Sequence, residues 1–350
     1  MRYQAFGRRC GLRISEQVLG TANFGAAPTA AGDPAIKEIF ASFVNAGGTT
    51  FDSSSRYHGG EAETRLGQLL GHERDDFVII TKYGAGSTAP ARPGTTGNSR
   101  KVMVRSLEES LRRLRTDHVD LFMPHLPDAV TPMPEILAGL ESLIQAGKVR
   151  YGGLSNFPAW RVAGAATAAE LGGLSALAGI QTEYSLAERS AERELLPAAE
   201  AHGLGVLAYS PLAGGLLTGK YRRGEEGRLS RHSGGDVPAE TDRRERVVDA
   251  VVAVAEELGV SPVGVALAWL RDRASVLGSS LAPVVGPRTA SHLAMYLAAL
   301  DVELGAEHRD RLTQAAAFQH GPPYDTVDAA LRAGVDGDRA LLRTPRPVVV

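Results

Sequence analysis

A chain of 350 residues, 43% of them hydrophobic and 22% charged, holds enough apolar material for one large core or two modest domains. Its net charge of −2 gives no reason to expect a nucleic acid or an anionic membrane as partner, and no apolar run approaches the roughly 20 residues that cross a bilayer. The single cysteine, Cys10, excludes an intrachain disulfide and any multi-cysteine metal centre; no metal site is predicted, no apolar leader follows the basic start, and a reducing, cytoplasmic setting is expected.

The chain opens with two short extended stretches, Tyr3 to Phe6 and Gly11 to Ser15, flanking Gly7-Arg8-Arg9-Cys10, which reads as a β-hairpin able to cap a barrel floor. Apolar runs of strand length then recur at 17–22, 49–53, 77–82, 119–123, 149–154, 178–182, 205–209 and 281–285. Helical spacing fills the intervals at 34–45, 61–70, 99–114, 134–146, 159–170 and 192–202, with Trp160 read as a packing residue. Continuous apolar strands alternating with amphipathic helices predict the α/β class, and eight such units are what a closed (β/α)8 TIM barrel requires. An open doubly wound sheet is the main rival, but no Gly-x-Gly-x-x-Gly follows the first strand to cradle a dinucleotide.

Two connections exceed the usual span of about 2 to 6 residues. They cover 84–98 and about 222–242, both at the C-terminal mouth, where long loops either shape substrate access or are surface slack. The barrel domain is expected over 1–317, and 318–350 reads as an irregular tail, with Gly321-Pro322-Pro323 and Thr344-Pro345-Arg346-Pro347.

Four polar residues stand at or just beyond the ends of successive apolar runs: Asp52, Tyr57, Lys82 and His125. In one parallel barrel they converge on one mouth. A tyrosine, with a reference pKa of about 10, is a poor acid at neutral pH unless something favours its phenolate, and a nearby ammonium does so. Lys82 supplies that charge and Asp52 keeps the lysine charged, while His125 is placed to donate to a carbonyl oxygen. Each residue alone has a bland explanation: a turn cap, a rim aromatic, a solvated strand end, a histidine satisfied by backbone. Four of them in reach of one centre, with mutually useful chemistry, do not.

Several motifs then carry a resemblance. They are Leu19-Gly20-Thr21-Ala22-Asn23-Phe24-Gly25, Phe51-Asp52-Ser53-Ser54-Ser55-Arg56-Tyr57, Gly60-Glu61-Ala62-Glu63, Ile80-Thr81-Lys82, His125-Leu126-Pro127-Asp128, Gly153-Leu154-Ser155-Asn156-Phe157, Gln181-Thr182-Glu183-Tyr184 and Tyr209-Ser210-Pro211-Leu212 running on to Lys220-Tyr221. In that order, from about residue 3 to 300, the chain resembles the aldo-keto reductase superfamily, in the branch of bacterial aldo/keto reductases and potassium-channel beta subunits.

The resemblance implies NADPH bound in an extended conformation across the mouth, Tyr57 as general acid tuned by Lys82 and Asp52, and His125 orienting the substrate carbonyl. It also implies that Ser155, Asn156 and Gln181 hold the nicotinamide carboxamide and that Tyr209 stacks on the ring. A carboxamide offers one acceptor and two donors, which such a set can satisfy, and an aromatic face offers a stacking surface.

Around the pyrophosphate stand Ser210, Pro211, Leu212, Gly214, Leu216 and Lys220, where small residues let the backbone approach closely. Gly20, Thr21, Ala22 and Gly286 complete the implied cofactor contacts. Arg288, just before a helix, suits a 2'-phosphate and favours NADPH over NADH. His292 and Tyr296 stand where related branches usually carry Gln and Asn at the adenine end, a departure from the pattern. Phe24, His58, Tyr83 and Phe157 are candidate pocket walls, and Glu63 is assigned no role.

The expected activity is NADPH-dependent reduction of an aldehyde or ketone to an alcohol, with a small-molecule carbonyl as partner and the oligomeric state open. A nucleotide-binding regulatory subunit with little turnover is the alternative. A Schiff-base aldolase using Lys82 leaves Asp52, Tyr57 and the cofactor motifs unexplained.

Overall fold

Alternation along each apolar run decides which side chains point into a barrel and which point out to its helices. The computed structural model describes residues 1–26, 30–86, 91–92, 94–227, 229–230, 242–325 and 334. A two-stranded antiparallel hairpin, β1 (Tyr3–Ala5) and β2 (Arg13–Ser15), precedes the barrel, with Tyr3 opposite Ser15.

The barrel strands are β3 (Val18–Gly20), β4 (Thr50–Asp52), β5 (Val78–Tyr83), β6 (Val119–Pro124), β7 (Val149–Ser155), β8 (Gly179–Glu183), β9 (Gly205–Tyr209) and β10 (Leu281–Val285). They close in chain order, every pair parallel, with β10 joining β3 through Val284 opposite Val18. All eight fall on the runs expected from the sequence, and the topology is the (β/α)8 barrel.

The helices are α1 (Gly32–Asn45), α2 (Glu61–Leu70), α3 (Arg100–Leu114), α4 (Met133–Gln145), α5 (Ala159–Leu171), α6 (Leu195–Ala201), α7 (Asp242–Leu258), α8 (Pro262–Val276), α9 (Ala290–Ala298) and α10 (Ala306–Ala315). The helix expected at 192–202 is shorter, a single 3-10 turn at Ser190–Glu192 followed by α6. Two helices not expected from the sequence, α7 and α8, lie between β9 and β10. In α8 the run Val263 to Leu270 is buried on every side, so no polar face marks its period. Ser261 caps it, its hydroxyl accepting the Gly264 N–H at 3.1 Å, with Pro262 at the first turn. Among the described residues no single helix is long and apolar enough to cross a membrane.

Inside the barrel, Val18, Ile80, Leu121, Met123, Leu207, Ala282 and Val284 form an inner cluster with Phe6 and Ile14 of the hairpin. Phe6 is the floor. Its ring lies against Gly179 and Gly205 at the first positions of β8 and β9, where any Cβ would overlap it. The hairpin is tied on by Gly7 N–H to Ser280 Oγ at 2.8 Å and Arg8 N–H to Gly203 O at 2.7 Å. The expected floor cap is therefore present.

Parts of the two long loops, residues 87–90 and 93 in the first and 228 and 231–241 in the second, lie outside the described residues, as do 326–333 and 335–350 of the tail.

Candidate active site

The two-residue period places Gly20, Asp52, Lys82, Ser155, Gln181 and Tyr209 on the inner face at the C-terminal ends of their strands. Their outward neighbours Phe51, Tyr83, Phe122 and Ile180 pack beneath the helices. Gly20 pairs with Asp52, and Ser155 pairs with Gln181. A Cβ at position 20 would lie 2.9 Å from Val284 Cγ1 and 3.3 Å from Val285 O, so only glycine lets β3 and β10 meet there.

Lys82 is fully buried. Its Nζ donates to Asp52 Oδ1 at 2.6 Å and to Ser53 O at 2.7 Å, and lies 5.4 Å from the centre of the Tyr57 ring. Burial pushes the Lys82 ammonium down, but the Asp52 carboxylate and the Tyr57 phenol, both bonded to it, leave it above the ordinary lysine value. The ammonium therefore persists although its side chain is wholly buried. Asp52, 2% exposed, accepts a second bond from Gln181 Nε2 at 2.8 Å, which spans the barrel.

Tyr57 begins a tight turn, Tyr57–Gly60, in which His58, Gly59 and Gly60 are all left-handed, and it stays partly accessible. His125 follows β6 with its N–H on Tyr83 O at 2.8 Å, and its ring meets Tyr57 edge to face at 5.8 Å and 84°. The imidazole is pushed down to about 3 by burial, by Lys82 and by Arg56, so it is neutral throughout the physiological range. Its Nδ1 lies 3.0 Å from Ser54 Oγ. The structure brings all four expected residues to one centre.

Next to His125 on the rim, Asn156 sits at φ +61° beyond β7. Its Nδ2 donates to His125 O at 2.9 Å and Ser155 Oγ at 3.1 Å, and its Oδ1 accepts the Tyr209 hydroxyl at 2.8 Å. A left-handed asparagine inside such a network is backbone strain held in place by its bonds. Ser210 (φ +52°), Ala213 (φ +48°), Gly214 (φ +67°) and Gly215 (φ +93°) continue past β9 in left-handed conformations, and the N–H groups of Ala213 and Gly215 close tight turns onto Ser210 O at 2.7 Å and Leu212 O at 2.9 Å. A Cβ at Gly214 would come within 2.9 Å of Leu229, and one at Gly215 within 2.9 Å of the Lys220 side chain. That stretch is therefore a backbone cradle with Lys220 folded over it.

Arg288 precedes α9, whose first turn is capped by Thr289 accepting the His292 N–H at 3.2 Å. Burial lowers the His292 imidazole, and so do the positive charges of Lys220 and Arg288 near it. Burial pushes the Tyr296 phenol up to about 12, and its backbone carbonyl accepts Gln17 Nε2 at 2.8 Å. Thr21 is buried with its hydroxyl on Asp52 O at 3.1 Å and Ser53 Oγ at 2.9 Å, so its side chain clamps β3 to β4. Asn23 Nδ2 donates to Gly286 O at 2.8 Å, linking the segment around Ala22 to the end of β10. Cradle, cationic spot and the Ser155, Asn156 and Gln181 group lie along one rim, and together they fit an anionic dinucleotide with an amide at its far end.

Two expectations are corrected, and one unassigned residue gains a role. Phe24, Tyr83 and Phe157 are not open pocket walls: they are 0%, 0% and 2% exposed, and Tyr83 stacks on Phe122 at 4.9 Å in the outer layer. Trp160 is not a packing residue, since it projects from the first turn of α5 with 74% of its surface exposed. Glu63, given no role from sequence, is buried and accepts from Thr81 Oγ1 at 2.5 Å and Arg113 Nε at 2.7 Å, fastening α2 and α3 to the strand that carries Lys82. Two contacts at the centre were not legible at all, Ser54 to His125 and Gln181 to Asp52; the serine run 53–55 before Tyr57 was the one available signal for the first.

A sequence model of the Aldo/keto reductase family matches residues 17–317. The uncharacterized oxidoreductase YrpG of Bacillus subtilis is 35% identical over 88% of this chain and 93% of its own length. An aryl-alcohol dehydrogenase [NADP(+)] of Phanerodontia chrysosporium is 31% identical over 92% of this chain and 88% of its own. A putative voltage-gated potassium channel subunit beta of Schizosaccharomyces pombe is 37% identical over 63% of this chain and 67% of its own.

Proposed function

The chain belongs to the Aldo/keto reductase family of oxidoreductases, and from that premise we propose that it reduces an aldehyde or ketone to an alcohol with NADPH, Tyr57 delivering the proton. The observation that carries the reading is the Lys82 ammonium, fully buried, bonded to Asp52 at 2.6 Å and set against the Tyr57 phenol. Bound NADPH supplies the hydride. The rest is done by the chain's own side chains.

Tyr57 gives up its hydroxyl proton to the carbonyl oxygen as negative charge grows there, and Lys82 stabilises the phenolate left behind. Asp52 holds the ammonium charged and in place. Neutral His125 positions the carbonyl by donating a hydrogen bond. Ser155, Asn156 and Gln181 hold the carboxamide, and Tyr209 supplies the stacking face. Asn156 Oδ1, which here accepts the Tyr209 hydroxyl, would be the acceptor offered to the amide of the bound nucleotide. The cradle at Ser210 to Leu216, with Lys220 folded over it, would bind the pyrophosphate through the N–H groups its own turns do not use, and Arg288 would take the 2'-phosphate, with His292 and Tyr296 beside the adenine end.

Fluorescence titration with NADPH and NADH, followed by an aldehyde and ketone panel read by loss of nicotinamide absorbance, tests this. Aryl aldehydes come first in the panel, on the strength of the aryl-alcohol dehydrogenase relative. Tyr57→Phe is expected to keep NADPH binding and lose about 10²- to 10⁴-fold in turnover, the usual worth of a general acid. Near-normal turnover refutes the assignment. Tight NADPH binding with no turnover on any carbonyl favours a regulatory nucleotide-binding role, the reading that the channel-subunit relative supports.

A further inference from the structure

His125 can orient a carbonyl only if the nitrogen facing the substrate carries its proton. With the imidazole neutral, one ring nitrogen donates and the other accepts, and the partner of the inner nitrogen decides which. That partner is Ser54, a fully buried serine at the end of β4 that the reaction scheme above does not use.

The hydroxyl of Ser54 has three neighbours. It accepts the Arg56 N–H at 3.2 Å, and its own proton has two possible destinations, His125 Nδ1 at 3.0 Å and Lys82 O at 3.4 Å. The carbonyl of Lys82 already accepts Ser55 N–H and Ser55 Oγ, both at 3.0 Å, which occupy its two lone pairs. The imidazole nitrogen is therefore both the nearer acceptor and the one with a vacant lone pair. Nε2 has no hydrogen-bond partner among the described residues.

We infer that Ser54 is a positioning residue for carbonyl reduction: its hydroxyl donates to His125 Nδ1, fixing the tautomer in which Nε2–H is presented to the substrate oxygen. The inference rests on the reductase reading for its consequence but not for its geometry. With the opposite tautomer, Nε2 would turn a lone pair toward the carbonyl oxygen and repel it. The low proton affinity of His125 leaves no doubly protonated form to mask the choice. The backbone of His125 is fixed on both sides, its N–H on Tyr83 O and its O on Asn156 Nδ2, and its ring packs edge to face on Tyr57 while it meets Ser54.

The test reads the tautomer directly. Long-range ¹H–¹⁵N spectra of the labelled full-length protein, with His125 assigned by comparison with His125→Gln, are expected to show a protonated Nε2 and a bare, hydrogen-bonded Nδ1. In Ser54→Ala the Nδ1 signal is expected to lose the hydrogen-bonded signature or the two tautomers to mix. NADPH affinity is expected to stay within about twofold while kcat falls about tenfold, the worth of one hydrogen bond at a reacting centre. In a His125→Ala background, Ser54→Ala is expected to cost less than about twofold more, because the serine acts only through the histidine.

A protonated Nδ1 in the unsubstituted protein overturns the inference, whether or not any carbonyl is reduced. So does an unchanged His125 spectrum in Ser54→Ala, or losses that add in the double variant. Failure of the protein to reduce any carbonyl, with the expected spectra in hand, refutes the reductase reading and leaves the tautomer assignment standing.

Discussion

Asp52→Asn removes one charge from a pair that has no access to water. Lys82 is 0% exposed and Asp52 2%, and among the described residues Asp52 is the only carboxylate bonded to the ammonium, whose other partners are the neutral Ser53 carbonyl and the Tyr57 phenol. An asparagine keeps an oxygen for Lys82 or for Gln181 but not for both with a full charge. Breaking a buried pair from one side costs about 3 to 5 kcal/mol because the remaining charge stays uncompensated. At about 2 to 4 °C per kcal/mol for a chain of this size, the melting temperature near pH 7 is expected to fall by roughly 10 °C.

The pH dependence gives the reasoning its sharper test. In the unsubstituted protein the folded Lys82 value lies above the unfolded one, so its contribution is fully present below about pH 10.4 and is lost as pH rises through the folded value. Without the Asp52 charge, burial dominates and the folded value drops below the unfolded one. The unfolded variant then binds more protons than the folded variant, and its stability rises with pH. Thermal melts followed by circular dichroism between about pH 6 and 10 are expected to show a gap between the two proteins that narrows as pH increases. Equal melting at pH 7, or a gap constant across that range, refutes the idea that Asp52 exists to keep a buried lysine charged.

Arg288→Ala is expected to weaken NADPH about 10- to 100-fold and NADH hardly at all, because the guanidinium contacts only the group that distinguishes them; equal loss for both in fluorescence titrations removes Arg288 from the 2'-phosphate. Gly205→Ala forces a methyl into the Phe6 ring and is expected to cost about 1 to 3 kcal/mol by chemical denaturation, with nucleotide affinity unchanged at the far end of the barrel.

Much of this was legible from the sequence for identifiable reasons. Strands buried on both faces read as continuous apolar runs, and all eight could be placed within a residue or two. Residues that stand at strand ends inherit their position from the topology, so Asp52, Lys82 and His125 came together once the barrel was drawn. Contacts across the barrel were not legible, because nothing local encodes them: Gln181 reaches Asp52 over 129 residues and Ser54 reaches His125 over 71. Helix α8 was missed because a helix buried all round has no stripe. Trp160 was misread because bulk alone says core, whereas its place in the first turn of α5 turns it outward.

The floor plug has a temporal consequence. The hairpin is made well before its partners: Gly7 waits 273 residues for Ser280, and Gln4 Nε2 waits 277 for the carbonyl of Leu281. The ring seam between β10 and β3 cannot be sewn until residue 285 exists. A chain made only as far as β9 has two unpaired sheet edges at β3 and β9, so closure of the barrel, seating of the plug and assembly of the cationic spot beside Arg288 all wait on the same late segment. A ribosome stalled before β10 carries a chain that owns every catalytic side chain and has no vessel to hold them.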